Sequence, residues 1–319
     1  MGMHLRIGLA ALAACCLAAV GSAGSAATSP VHLGVLGDPA RFDGQTTQSS
    51  STRLIIVGWD QGTSSSYFSR LFATMLGEPM VGLSTGPEGG PESISPEAIA
   101  RGQGDAVLVA LNQAVAEWKR AIYIRPLAEM NGHWNAYSAY NLNGSPRGAD
   151  HSTAAFRKAF ARIYLIVHGG PSVNARLRSL GLPPVSAPTT PAPNAMVVWN
   201  PQGYGSPDLP GNSAQAYYPG DRFVDVVADD LYDIGGKAEW PATEALYAAH
   251  PSKPFALGEW GLWGVDDPSF VAKMATFIRT HRRTVLAVYY SGRPGSVFDL
   301  ASKPRSLAAY RRLIAPLGG

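Results

Sequence analysis

The chain has 319 residues, of which 46% are hydrophobic and 15% charged, and its formal net charge is +3. This composition excludes disordered, coiled-coil and collagen-like chains, because the apolar fraction can build a large core and the 35 glycines follow no period. No block of five like charges occurs, which disfavours a nucleic-acid or membrane-surface role. We expect a globular monomer with no nucleic-acid partner.

Residues 1–27 have the layout of a secretory signal peptide. Arg6 precedes an apolar run at residues 7–20, and small residues follow at 21–26. The run is too short for a transmembrane span, and no later stretch reaches 18 apolar residues. We therefore predict cleavage near residue 27 and a secreted protein. Residues 12–15 also resemble a bacterial lipoprotein box, so the alternative is a cell-surface protein with a lipid anchor at Cys15.

Short apolar runs alternate with amphipathic stretches along residues 28–319. The runs predict eight strands, at 32–36, 54–59, 80–84, 121–127, 195–199, 224–228, 254–258 and 285–290. Apolar residues at helical spacing predict helices at 105–119, 152–168, 268–281 and 306–313. Residues 181–194 are rich in proline and residues 202–220 in glycine, proline and tyrosine, so both segments are predicted to be loops.

Eight strands that alternate with helices favour a single (β/α)8 TIM barrel over residues 28–319. The alternative is an open doubly wound sheet. The sequence disfavours that fold because no G-x-G-x-x-G turn follows the first strand. In a barrel, the functional residues are expected at the carboxyl ends of the strands.

Two glutamates follow apolar runs at predicted strand ends. Glu129 follows the fourth strand and Glu259 the seventh, and Gly and Trp residues come soon after each. Two carboxylates that converge in a cleft suit glycosidic bond cleavage, because one protonates the leaving oxygen while the other attacks the anomeric carbon. A separation of about 5–5.5 Å would make the reaction retaining. The alternative is that each Glu is a strand-end carboxylate paired with an arginine such as Arg125.

Aromatic residues gather at or just beyond the predicted strand ends, as expected of a sugar-binding cleft. These residues are Trp134, Trp199, Tyr232, Trp260, Trp263 and Tyr290. The alternative for each is that it only fills the top of the barrel. We also predict that Arg125, Asn131 and His133, which flank Glu129, contact the substrate. The histidines show no metal-ligand spacing and no P-loop is present, so we expect no metal and no cofactor.

The segment from Ile124 to Trp134, IRPLAEMNGHW, closely resembles the acid/base motif of glycoside hydrolase family 26. Residues 198–201 (VWNP), 217–225 (YYPGDRFVD) and 256–261 (ALGEWG) resemble later blocks of that family, in the same order. The resemblance runs from about residue 34 to residue 313. Each motif alone is moderately specific, whereas the ordered set is specific.

The resemblance implies a clan A (β/α)8 barrel and a retaining enzyme. Most members are endo-β-1,4-mannanases, and some act on mixed-linkage β-glucan or β-1,3-xylan. The resemblance further implies that Glu129 is the general acid/base, that Glu259 is the nucleophile, that Tyr232 lies near the nucleophile and that Trp134 binds sugar. No cofactor is implied.

Two positions depart from the usual pattern of the family. Ala128 stands where the family has histidine, and Tyr290 where it has tryptophan. The resemblance implies that both positions belong to the subsite for the reacting sugar. Our leading hypothesis is a secreted retaining β-glycanase that hydrolyses a β-mannan or related polysaccharide. The alternatives are the same mechanism on a β-glucan, a xylan or a bacterial surface glycan, and a catalytically silent carbohydrate-binding barrel.

Overall fold

Eight parallel strands pair in sequence order, and the last pairs with the first, so the sheet closes into a barrel. This computed structural model describes residues 31–62, 64–75, 77–87 and 90–318. The predicted (β/α)8 barrel is confirmed. The predicted signal peptide and Cys15 lie outside the described residues, so the secretion that depends on them stays a prediction. The strands are β1 (His32–Leu36), β2 (Thr52–Gly58), β3 (Met80–Ser84), β4 (Ile122–Pro126), β5 (Ala195–Trp199), β6 (Val226–Ile234), β7 (Phe255–Trp263) and β8 (Thr284–Tyr290).

Ten α-helices lie within the described ranges. At least one helix follows every strand, which leaves the strands covered on their outer face and explains their continuous apolar runs. In the same ranges, no helix combines the length and the hydrophobicity needed to cross a membrane. The helices are α1 (Pro39–Thr46), α2 (Ser65–Ala73), α3 (Pro96–Ala100), α4 (Asp105–Trp118), α5 (Thr153–His168), α6 (Val173–Ser179), α7 (Ala214–Tyr217), α8 (Trp240–Ala249), α9 (Pro268–Thr280) and α10 (Pro304–Leu313).

The barrel interior is filled by an apolar layer below the carboxyl ends of the strands. Its buried members come from β2 to β8 and pack against one another. The layer supports the polar residues that follow on the same strands, so the functional site rests on a packed floor. The members are Leu54, Met80, Tyr123, Val198, Val226, Ala228, Ala256, Leu286 and Val288.

Two strands extend well beyond their predicted ends. β6 continues to Ile234 and β7 to Trp263, and the two remain paired over this extension. The prediction stopped early because the acidic residues Asp229, Asp230 and Glu259 interrupt the apolar runs that signal a buried strand. The predicted loop at 202–220 is also partly wrong, since it contains the short helix α7.

Candidate active site

A buried arginine joins two carboxylates at the mouth of the barrel. Arg125 on β4 is 2% exposed. Its Nη1 donates to Glu259 Oε1 at 2.7 Å, its Nη2 pairs with Asp230, and its Nε donates to Asn200 Oδ1 at 2.7 Å. Burial opposes the charge, but the two carboxylates raise the pKa of Arg125, so the guanidinium stays cationic.

Glu259 lies inside β7, where the strand ladder aligns it with Asp230 on β6. The Tyr232 hydroxyl donates to Glu259 Oε2 at 2.6 Å. Burial and the charge of Glu259 raise the pKa of Tyr232 well above its usual value, so this hydroxyl keeps its proton. A Cβ at Gly258 would lie 1.9 Å from Asn200 Oδ1. The glycine of the Gly-Glu-Trp motif thus makes room for the amide that holds the arginine.

Glu129 follows β4 in a turn instead of lying in a strand. Its φ is +52°, and Leu127 also has a φ of +52°. This left-handed region is unusual for residues other than glycine and costs of order 1 kcal/mol. Tertiary hydrogen bonds hold the turn, because the Glu129 N–H donates to Asn200 O at 2.7 Å and the Leu127 N–H to Leu83 O at 2.9 Å.

Two side chains from different turns donate to the Glu129 carboxylate. Trp134 Nε1 donates to Oε2 at 2.7 Å, and Gln202 Nε2 donates to Oε1. Burial and the nearby charge of Glu259 raise the pKa of Glu129, whereas the charge of Arg125 and the hydrogen bond from Trp134 lower it. A Cβ at Gly132 would lie 2.4 Å from the Trp134 ring, so the glycine of the Asn-Gly motif lets the indole reach the carboxylate.

Further contacts fix the two turns that carry these donors. Asn131 Nδ2 donates to Gln202 O at 2.8 Å and to Tyr204 O at 3.0 Å, and Asn131 Oδ1 accepts the Gln202 N–H at 2.9 Å. Arg147 donates to three backbone carbonyls of the turn at residues 133–136, with 2.5 Å to Asn135 O. The position of the Glu129 carboxylate therefore depends on loop contacts beyond its immediate donors.

Two cavities meet at the pair of glutamates. The smaller is about 220 Å³ and lies toward β2 and β3, and the larger is about 580 Å³ and lies toward β6 and β7. Both are lined by Glu129, Glu259, Trp134 and Tyr290. The two carboxylates thus lie on the boundary that the two cavities share.

Some predicted substrate-binding residues lie away from this cleft. Trp199 and Trp260 are 0% exposed and pack in the core, Trp260 stacked on Tyr310 at 5.6 Å between ring centroids. Their predicted contact with substrate is wrong, because a fully buried indole has no face free for a sugar. Asn131 is also 0% exposed and holds the turn of Gln202, so its predicted substrate contact is wrong as well.

The other predicted residues divide between the cleft and its supports. Tyr232 and Trp263 line the larger cavity, together with the shared Trp134 and Tyr290. Arg125 lines the smaller cavity but is engaged by carboxylates. The arginine pairing considered for the strand-end glutamates is present at Glu259, whereas the alternative that this pairing is the only role of Glu259 stays a prediction. His133 lines neither cavity, and its Nδ1 lies 3.0 Å from Ser206 Oγ.

Sequence reasoning missed three residues that define the site. Gln202 donates to Glu129, Asp230 pairs with Arg125, and Asn200 contacts both the arginine and the Glu129 backbone. The acidic end of the sixth predicted strand was a signal for Asp230. Asp229, its neighbour, accepts the Gly203 N–H at 2.8 Å, and burial raises its pKa to about 7. No pattern in the sequence indicates that the side chain of Gln202 forms a hydrogen bond with Glu129.

Among the residues with described positions, no group of three or more His, Cys, Asp or Glu side chains is arranged to hold a metal ion. Asp230 and Glu259 at the barrel mouth both pair with Arg125. The two glutamates thus lie in different settings, because Arg125 contacts Glu259 whereas the neutral donors Trp134 and Gln202 contact Glu129.

Several solved mannanase structures share this architecture. A Bacillus subtilis mannanase superposes with a TM-score of 0.56 and 16% identity, covering 88% of this chain and 85% of that one. The family 26 domain of a Prevotella bryantii endo-β-mannanase/endo-β-glucanase gives a TM-score of 0.55 and 12% identity, covering 89% and 88%. A family 26 β-mannanase from Bacteroides ovatus gives 0.51 and 18%, covering 87% and 89%. The chain shares the (β/α)8 barrel of these enzymes.

Sequence comparison finds a similarity to an endoglucanase. Endoglucanase H of Acetivibrio thermocellus is 23% identical over an alignment of 233 positions, which covers 68% of this chain. The chain spans only 22% of the length of that relative. No family model matches the chain.

Proposed function

We propose that this chain is a secreted glycoside hydrolase that cleaves a β-mannan or a related β-linked polysaccharide, with retention of configuration. The mannanases and the endoglucanase that it resembles support this reaction class. The observation that carries the proposal is the electrostatic contrast between two glutamates that line the same cleft. Double displacement needs one carboxyl that holds a proton and one that is ionised.

Glu129 is the proton donor in this proposal. Burial raises its pKa, so the carboxyl can keep its proton until a substrate binds. Its two oxygens contact Trp134 and Gln202, which are neutral donors that orient the group without a full positive charge. When the glycosidic bond breaks, Glu129 transfers its proton to the leaving oxygen.

Glu259 is the nucleophile in this proposal. Arg125 lies 2.7 Å from one carboxylate oxygen, and the Tyr232 hydroxyl lies 2.6 Å from the other. These two donors fix the carboxylate at the mouth of the barrel, with one oxygen against a permanent cation. Its oxygen attacks the anomeric carbon as the leaving oxygen departs, which forms a glycosyl ester. Glu129, now ionised, then takes a proton from water, and the resulting hydroxide equivalent releases the sugar from Glu259.

A polysaccharide panel tests the proposal. We expect reducing ends to appear from a β-mannan, and proton NMR of the first products to show the β-anomer that retention requires. Glu259→Ala should abolish hydrolysis. Glu129→Ala should slow substrates with poor leaving groups by a factor of about 10²–10⁴, with a smaller loss on activated aryl glycosides.

Three results would contradict parts of the proposal. Hydrolysis that persists in Glu259→Ala would remove the nucleophile assignment. Equal losses on both leaving groups would remove the acid assignment for Glu129. Early formation of the α-anomer would show inversion. Cleavage of β-glucan in preference to β-mannan would keep the mechanism and change the substrate, in line with the likeness to Endoglucanase H.

A further inference from the structure

The residues that line the cleft change from apolar to charged between neighbouring strands. Ile56, Gly82 and Arg125 are register partners across β2, β3 and β4, and all three line the smaller cavity. Between β4 and β7 the cleft carries the charged residues Arg125, Asp230 and Glu259. At β2 and β3 it carries the aliphatic side chain of Ile56 and the glycine Gly82. The cleft therefore has a charged half and an apolar half.

Ile56 is the main feature of the apolar half. It lies in the interior of β2, yet its side chain is 50% exposed and faces the smaller cavity. A Cβ at Gly82 would lie 3.2 Å from Ile56 Cγ1, so the isoleucine side chain lies across this glycine. Leu83, Pro87 and Ala128 line the same cavity. A half-exposed aliphatic group beside the glutamates offers a ligand apolar area to bury.

Three of the polar side chains that line this cavity donate to the protein backbone. Ser84 Oγ donates to Gly86 O at 2.6 Å, and the Tyr137 hydroxyl donates to Ala128 O at 2.6 Å. Asn135 Nδ2 donates to Glu129 O at 3.0 Å. A sugar hydroxyl placed over Ile56 would exchange water for an apolar surface and lose hydrogen bonds. A methyl group in the same place would lose nothing.

We infer that the substrate presents a methyl-bearing substituent to Ile56 from the sugar bound beside β2 and β3. An O-acetyl ester and a 6-deoxy sugar both supply such a group. This inference rests on the proposed function and narrows its substrate class to a glycan decorated in this way. The substituent would lie in the apolar half of the cleft, while the hydroxyls of the reacting sugar face the charged half.

Binding to the non-hydrolysing variant Glu259→Ala tests the inference without depending on turnover. The probes are acetylated manno-oligosaccharides and the same sample after mild base has removed the esters. We expect calorimetry to show tighter binding of the acetylated sample. Ile56→Thr in the same background should reduce that preference about fourfold, because burial of one methylene-sized group has roughly that value.

Ile234→Thr is the matched control. Ile234 is also 50% exposed but lines the larger cavity, so this substitution should leave the acetyl preference intact. A β-linked oligosaccharide that contains 6-deoxymannose tests whether a 6-deoxy sugar is the source of the methyl group. If it binds more tightly than the parent oligosaccharide of mannose, and if Ile56→Thr removes that difference, the cavity binds deoxy sugars.

Equal binding of all modified and unmodified probes would overturn the inference. So would a preference that Ile56→Thr retains or that Ile234→Thr removes. The proposed function would survive these results if the unaltered chain still hydrolyses unmodified mannan. In contrast, the chain could fail to hydrolyse every polysaccharide and still show an acetyl preference that depends on Ile56. That result would contradict the proposed hydrolase activity and support the methyl-binding role of the smaller cavity.

Discussion

The two glutamates are held by different kinds of structure. Glu259 lies within a strand, and its partners Arg125 and Tyr232 lie within two other strands of the barrel. Glu129 lies in a turn with a left-handed backbone, and its partners Trp134 and Gln202 also lie in segments outside the strands. One carboxylate is thus part of the barrel and the other is part of its loops.

This difference separates two requirements of the proposed reaction. The attacking oxygen needs a fixed position, and side chains on strands are placed more precisely than side chains on loops. The proton donor needs a suitable pKa, which depends on burial and on a few hydrogen bonds. Because Glu129 and its hydrogen-bond donors lie in loops, those contacts can change without altering the strands of the barrel. Substitutions on the two sides should therefore fail in different ways.

The largest effect is expected at Arg125, which serves the barrel side. Arg125→Met leaves the buried carboxylates of Asp230 and Glu259 without their cation. Loss of one partner of a buried ion pair costs about 3–5 kcal/mol of unfolding free energy. We expect chemical denaturation to show this loss and hydrolysis to be abolished. Arg101→Ala, in a largely exposed pair, is the control and should leave stability unchanged. Similar stability of both variants would contradict the ion-pair argument.

Tyr232→Phe tests the barrel side with a smaller change. It removes the hydroxyl that donates to Glu259 and keeps the ring. Hydrogen bonds to charged groups contribute about 1.5–3 kcal/mol, so kcat should fall by about 10- to 150-fold. The loss should be similar for good and poor leaving groups, because the nucleophile serves both. A loss confined to poor leaving groups would assign Tyr232 to the acid side.

Trp134→Phe tests the loop side through pH dependence. The indole N–H favours the ionised form of Glu129 and lowers its pKa, so its removal should raise that pKa. The proton donor must be protonated to act, and activity declines as pH rises through its pKa. The alkaline limb of the pH–rate profile should therefore move to higher pH. The rate on poor leaving groups should fall about tenfold, part of the roughly 10²–10⁴ that a positioned acid supplies. An unmoved or lowered limb would contradict this assignment.

The smallest effect is expected at Arg147, which contacts neither glutamate. Arg147→Lys removes the hydrogen bonds to the turn that carries Trp134. We expect a loss of about threefold on poor leaving groups and none on activated aryl glycosides, because only the placement of the acid is disturbed. Arg157→Lys, which loses a contact with the backbone of residue 216, is the matched control. Equal losses on both substrates would show a general structural role.

The barrel and the two glutamates follow from local sequence. Continuous apolar runs predict strands covered on both faces, and a Glu after such a run is expected at the carboxyl edge of the sheet. The bounds of β1, β3 and β5 agree with the prediction. The ends of β6 and β7 do not, because polar residues at the barrel mouth break the apolar pattern while the backbone ladder continues.

Side-chain exposure and loop contacts could not be predicted from sequence. Trp199 and Trp134 both come near a strand end, yet one is buried and the other lines the cleft. Burial depends on helices packed from distant parts of the chain. The contact between Gln202 and Glu129 joins residues far apart in sequence, and its geometry depends on how two irregular segments fold over the barrel.

The extended ladder between β6 and β7 also affects how this scaffold could acquire new specificities. An insertion near Glu259 would break paired backbone groups, since the ladder continues to Ile234 and Trp263. The segment between β4 and α5 contains no long regular element and borders both cavities through Trp134. Variation in its length would reshape the walls of both cavities while Glu259, the proposed nucleophile, stays in place. Evolutionary change and protein engineering would thus meet least resistance on the side of the proton donor.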